Sequence, residues 1–189
     1  MQETKNLIIR RASFADCDSF ADWESKDDVV KNFCIDGKRN LDTVIADFHR
    51  VTKDPSRLWL TIVLKETMEP IGRIGLTSID PINDSVDITI IYIGDKNLRG
   101  RGLGQEALLG LLDYAFREMN MNRVTIDHFF DDEVSMHLYE KVGFRKEGTA
   151  VLAGKRGSEF ADLCLRAILK AEWEERYEML EWEKEGKEV

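Results

Sequence analysis

The stretch Leu98-Arg99-Gly100-Arg101-Gly102-Leu103-Gly104 constrains this chain more than any other. Alternate glycines of this kind interrupt regular structure, and here they join an apolar run ending at Ile93 to a long segment with helical periodicity. In that segment Leu103, Ala107, Leu108, Leu111, Leu112, Ala115, Phe116 and Met119 recur on one face, which predicts a helix of about five turns packed on a sheet. A strand that passes through a glycine turn into a helix start presents backbone amides to an anion, and the helix end adds partial positive charge. The spacing Arg99-x-x-Gly102-x-Gly104 is not a P-loop, which would end in Gly-Lys-Ser/Thr. Nor is it the dinucleotide fingerprint, because Gln105 stands where the last glycine belongs. Lys96, Arg99, Arg101 and Arg117 supply a local basic group of the sort a small polyanion needs.

Around this turn the chain reads as strands and helices in alternating blocks. Residues 7–11 predict a first strand, and Ser13 caps a helix carrying Phe14, Cys17, Phe20, Ala21 and Trp23. Leu41, Val44, Ile45, Phe48 and Val51 mark a second amphipathic helix, stopped by Asp54-Pro55. Residues 59–64, 71–77 and 86–93 predict an antiparallel meander, separated by Glu69-Pro70 and by Asp80-Pro81-Ile82-Asn83-Asp84. After the long helix come a strand at 123–130, a short helix at 134–141 that Gly143 ends in a left-handed conformation, and a closing hairpin at 144–152 and 160–169. A charged helix at 172–187, with Trp173, Tyr177, Leu180 and Trp182 as packing residues, either covers the sheet or forms a homodimer contact. The expected architecture is mixed α+β: one mostly antiparallel sheet of six to seven strands flanked by helices, with residues 1–170 as the domain and 171–189 as its terminal helix.

The net charge of −9 argues against general nucleic-acid binding, which rests on clustered Lys and Arg, and favours a cationic partner. Cys17, Cys34 and Cys164 are odd in number, far apart and without histidines at ligand spacing, so neither a disulfide framework nor a metal site is expected. The first residues lead into a short strand rather than a signal peptide, and no apolar run is long enough to span a bilayer. The expected setting is cytoplasmic.

The strand, the Arg99-x-x-Gly102-x-Gly104 turn and the long helix resemble the acyl-CoA signature of the GNAT superfamily of N-acetyltransferases. A second segment, Asp131 onward to Tyr139-Glu140-Lys141-Val142-Gly143-Phe144, resembles the family's stretch ending in Tyr-Glu-Lys-x-Gly-Phe. The likeness is specific over residues 92–144 and, within the superfamily, points to the polyamine and ribosomal-protein acetyltransferase branches. It implies acetyl-CoA as co-substrate, the backbone of Tyr92, Ile93 and Gly94 along the pantetheine arm, and Arg99, Gly100, Arg101, Gly102, Leu103, Gly104 and Gln105 around the pyrophosphate. It also implies coenzyme contacts near Asp132 and Ser135, although Asp132 stands where relatives often have asparagine, and a carboxylate beside phosphates is unfavourable.

The resemblance further implies that Tyr139 donates a proton to the departing thiolate, which suits a phenol with a pKa of about 10. The attacking amine must first lose a proton. Asp87 lies near where many relatives carry a glutamate, but a bulge common in that strand puts either Asp87 or Ile88 at the position. Glu24, Asp27 and Asp28 are candidates to line an amine pocket. His128 and His137 are weaker candidates, the first packed along a strand and the second on an exposed helical face. The expected reaction is direct transfer to a primary amine, whether polyamine, aminoglycoside-like amine or protein N terminus; the alternative is a CoA-binding regulatory protein without catalysis.

Overall fold

Runs of β-branched and aromatic residues form the strands close to where the sequence predicts them. The strands are β1 (Gln2–Glu3), β2 (Leu7–Arg11), β3 (Leu58–Leu64), β4 (Glu69–Asp80), β5 (Ser85–Ile93), β6 (Arg123–Phe129), β7 (Arg145–Arg156) and β8 (Glu159–Leu169). In the computed structural model, which describes residues 1–31, 33 and 39–176, they form one sheet in the order β1-β2-β3-β4-β5-β6-β8-β7. Every neighbouring pair is antiparallel except β5 and β6, which run parallel. The sheet has eight strands rather than six to seven. The additional one is β1, two polar residues without apolar alternation, held by side chains from far along the chain: the Gln2 amide donates to Asp113 at 2.7 Å and the Thr4 hydroxyl to Glu106 at 2.6 Å.

Helices cover both faces. They are α1 (Cys17–Glu24), α2 (Asp27–Val30), α3 (Leu41–Val51), α4 (Leu103–Asp113) and α5 (Glu133–Val142). One face packs against α4, where Leu108, Leu111 and Phe116 meet Ile9, Ile62 and Ile74. The other packs against α1 and α3, where Phe20, Trp23, Val44 and Phe48 meet Trp59, Ile90 and Tyr92. Burial on both faces explains why β3 is an almost unbroken apolar run. Phe14 joins this packing only at its edge: residues 14–16 form a tight turn ahead of α1, leaving Phe14 56% exposed with its ring edge-on to Phe48 at 6.3 Å. The long helix also departs from its expected five regular turns, widening into a π-turn over Tyr114–Glu118 that still buries Ala115 and Phe116. Residues 170–176 are helical, and Trp173 is buried with its ring 6.2 Å from that of Phe116. Cys34, Tyr177, Leu180 and Trp182 lie outside the described residues.

An extra residue in β5 lets one strand serve both cores. Gly75 pairs with Ile90 and Leu76 with Ile88, so Thr89 is a bulge. Before it, Val86 and Ile88 face α4; after it, Ile90 and Tyr92 face α1 and α3, and Ile93 has moved to the α4 side. Parallel pairing with β6 runs only from Ser85↔Arg123 to Ile88↔Ile126, ending beside the bulge. Beyond that point the two strands part, and a cleft opens between them.

Among the described residues, no helix is long and apolar enough to cross a membrane.

Candidate active site

The glycine turn is built for close approach by a ligand. Gly100 and Gly102 have positive φ, +75° and +81°, and a side-chain carbon placed at Gly100, Gly102 or Gly104 would meet nothing within 4 Å. Gly102 caps α4, whose geometry leaves the amides of Leu103, Gly104 and Gln105 without an intrahelical acceptor. An open face, small residues and free amides at a helix start fit a pyrophosphate. Arg101 is exposed at this turn. The Arg99 guanidinium is directed elsewhere: its Nε donates to the Ile93 carbonyl at 2.8 Å, one terminal nitrogen to the Gly94 carbonyl at 3.1 Å, and the other to Asp28 at 2.7 Å. It therefore ties the end of β5 to α2. Gly94 is needed here for another reason, since a side-chain carbon would fall 2.1 Å from the Trp23 ring. Arg117 does not belong to this basic group; it pairs with Asp113 at 3.1 Å, about 20 Å along the helix from the turn.

Where β5 and β6 part lies a cleft of about 610 Å³, walled by both strands, β4, α3 and α5. Tyr139 projects from α5 onto its wall, 4% exposed, and burial pushes the phenol pKa well up, so it remains a proton donor at neutral pH. Asp87 sits at the base of the fork, accepting from the Thr125 hydroxyl at 2.6 Å and from the Thr89 hydroxyl at 3.3 Å. The bulge falls at Thr89, so Asp87 keeps the regular register with β6 opposite Thr125. Asp127, two residues on, lines the cleft, and desolvation together with the charge of Asp87 raises its pKa.

His128 also lines the cleft, but its chemistry is already committed. Its Nε2 accepts from the Arg166 Nε at 3.0 Å, which fixes the proton on Nδ1, and Nδ1 donates to the Phe129 carbonyl at 2.8 Å. Burial lowers its pKa, so the ring is neutral and has no lone pair to offer an amine. Arg166 is 4% exposed; it also donates to Glu140 at 2.8 Å and so clamps α5, and with it Tyr139, to the sheet. His137 is on the exposed face of α5. Asp132 caps α5: its carboxylate accepts from the Ser135 amide at 3.1 Å and the Ser135 hydroxyl at 2.7 Å, so both residues are engaged with each other.

The acidic residues expected around an amine pocket are placed differently. Glu24 is fully buried, paired with Arg73, 3.4 Å from an Arg39 nitrogen, and accepting from the Tyr92 hydroxyl at 2.9 Å. The apolar stripe of α1 accounts for this, since Glu24 is one turn after Phe20 and shares its inward face. Asp27 and Asp28 are exposed on α2, away from the cleft wall. The sequence reading missed Asp127 and the arginines at 39, 50, 57 and 73 that line the cleft. Asp127 shares a face with Thr125, alternating with the apolar Val124 and Ile126, a signal that was available; the arginines come from segments that only the fold unites. Among the described residues, no group of three or more His, Cys, Asp or Glu could hold a metal ion.

Comparison with known proteins identifies the family. The profile of the acetyltransferase (GNAT) domain family matches residues 6–145. An uncharacterized N-acetyltransferase p20 of Bacillus licheniformis is 27% identical over 173 residues, covering 90% of this chain and 96% of that protein. A putative ribosomal N-acetyltransferase, YdaF of Bacillus subtilis, is 30% identical over 133 residues, 70% of each chain. The crystal structure of spermidine N-acetyltransferase from Vibrio cholerae, in complex with CoA and spermine, superposes with a TM-score of 0.83 over 90% of this chain and 99% of that one, at 19% identity, a likeness of fold. The chain belongs to the GNAT family of N-acetyltransferases, which acetylate amines with acetyl-CoA.

Proposed function

We propose that the fork between β5 and β6 is where this acetyltransferase brings amine and thioester together, with the glycine turn holding the coenzyme's pyrophosphate and the cleft holding the acceptor. The observation that supports this most directly is the parting of the strands after Ile88↔Ile126, which opens a cleft whose wall carries both Asp127 and Tyr139. Acetyl-CoA supplies the thioester carbonyl that the amine attacks and the thiolate that leaves. Asp127, its pKa raised and backed by Asp87, takes the proton that an ammonium must lose before it can attack. Tyr139, kept neutral by burial, gives its proton to the departing sulfur. His128 is excluded from both roles by its bonds to Arg166 and Phe129. Cys164 is buried and lies opposite His128 in the sheet register, with that ring unable to activate it, so transfer is direct rather than through an acyl-enzyme.

The test is Tyr139→Phe. Thiol release in the presence of an accepted amine should fall by about a hundredfold or more in kcat while acetyl-CoA affinity by calorimetry is unchanged. Wild-type turnover would move the proton donor to another group.

A further inference from the structure

The cleft of this acidic protein is lined with arginine. Among its described wall residues, Arg39, Arg50, Arg57 and Arg73 face two carboxylates, Asp47 and Asp127. Arg50, Asp47, Arg39, Glu24 and Arg73 form a continuous chain of ion pairs with a guanidinium at each end, three cations to two anions. Its inner end is Arg73, 3% exposed and stacked with its guanidinium carbon 3.4 Å from the Trp59 ring centroid, its Nε buried without a hydrogen-bond partner. Its outer end is Arg50, whose side chain is 77% exposed, and lining the same cleft Arg57 is 53% exposed, with its Nε engaged by Asp54 at 3.1 Å and, among the described residues, no partner for its terminal nitrogens. Both outer guanidiniums retain donors in the fork arrangement that matches a carboxylate.

We infer that the acceptor is an amine that also carries a carboxylate, an amino acid or a short peptide rather than a polyamine. This rests on the cleft being the acceptor site. Such a molecule matches the polarity of the wall: its ammonium meets Asp127 at the fork, and its carboxylate meets the guanidiniums of Arg50 on α3 and Arg57 just before β3. A polyamine would set its second ammonium against those guanidiniums. Among the described carboxylates, Glu24 is held inside its buried pairs, Asp47 between Arg39 and Arg50, and Asp28 on Arg99, off the cleft wall, so none is left to receive a second ammonium there.

Matched amines decide the matter in a thiol-release assay with acetyl-CoA: lysine against cadaverine, which is lysine without its carboxylate, and phenylalanine against phenethylamine, with spermidine and phosphoethanolamine alongside. The carboxylated member of each pair should show kcat/KM higher by about tenfold or more, and the double variant Arg50→Gln, Arg57→Gln should bring that ratio toward one. Cadaverine or spermidine turned over as well as lysine overturns the inference and leaves the transferase intact. A preference for phosphoethanolamine over both amino acids overturns the carboxylate and assigns the arginines to phosphate. Acetyl-CoA binding with no release from any amine in the set overturns the assignment of the cleft as acceptor site, and with it both readings.

Discussion

The two halves of the site are made of different material. On the proposed coenzyme side, a turn of seven consecutive residues presents main-chain amides, and what matters is the space that Gly100, Gly102 and Gly104 leave open. On the proposed acceptor side, the wall is made of side chains from α3, β4, β5, β6 and α5, and its arginines at 39, 50 and 73 are held by ion pairs that reach Glu24 on α1. A site made of backbone is stable without its ligand and tolerant of its neighbours. A site made of buried charges is a cooperative object, in which removing one member strands the others. The two sides should therefore fail differently when perturbed.

The largest difference concerns stability. Glu24→Gln keeps the shape of a fully buried side chain but leaves Arg73 and Arg39 without its charge, and breaking a buried pair in this way costs about 3 kcal/mol. Urea unfolding should show the loss as a lower midpoint at unchanged slope; an unchanged midpoint would mean that the acceptor side is no more cooperative than the turn. The converse experiment is Gly104→Val. Gly102 is a poor choice because its φ of +81° strains any side chain, whereas a side chain at Gly104 enters open space from an ordinary backbone. The variant should unfold within about 0.5 kcal/mol of the wild type yet bind CoA roughly tenfold or more weakly by calorimetry. Wild-type affinity would remove the pyrophosphate from this turn.

The smallest effect separates two kinds of carboxylate within the acceptor side. Asp127 has its pKa raised in the folded protein, so its ionisation opposes folding at pH values above the folded pKa, and that opposition vanishes below the unfolded value of about 3.9. Asp127→Asn should then melt at the same temperature as the wild type or slightly higher at pH 8, with the difference closing toward pH 3, while its turnover falls. A clear loss of stability at pH 8 would place Asp127 among the paired structural charges with Glu24.

The same contrast explains what the sequence could and could not disclose. The turn, α4 and α5 are local, so glycine spacing and helical periodicity were enough to place them, and Tyr139 with them. Most strands followed from their apolar runs. β1 was missed because Gln2 and Thr4 are held by Asp113 and Glu106, more than a hundred residues away. The π-turn at Tyr114–Glu118 leaves the apolar spacing almost unchanged and so left no signal in it. Glu24 is a candidate to line an amine pocket by sequence, although its spacing from Phe20 already pointed it into the core. The arginine-lined wall had no local signature, because net charge averages over the whole surface and says nothing about which few charges a fold gathers into one cleft.

The bulge at Thr89 also sets a limit on how this chain can change its length. Because β5 feeds the α4 core before that residue and the α1 and α3 core after it, removing one residue there would reverse the phase of everything downstream as far as the turn. Tyr92 would leave Glu24, and Ile93 would exchange faces with it. A point substitution at Thr89 alters one exposed hydroxyl; a single-codon deletion would rewire both cores. Shortening or lengthening this protein should therefore be tolerated in the turn between β4 and β5, which lies on the surface, and resisted a few residues later within the same strand.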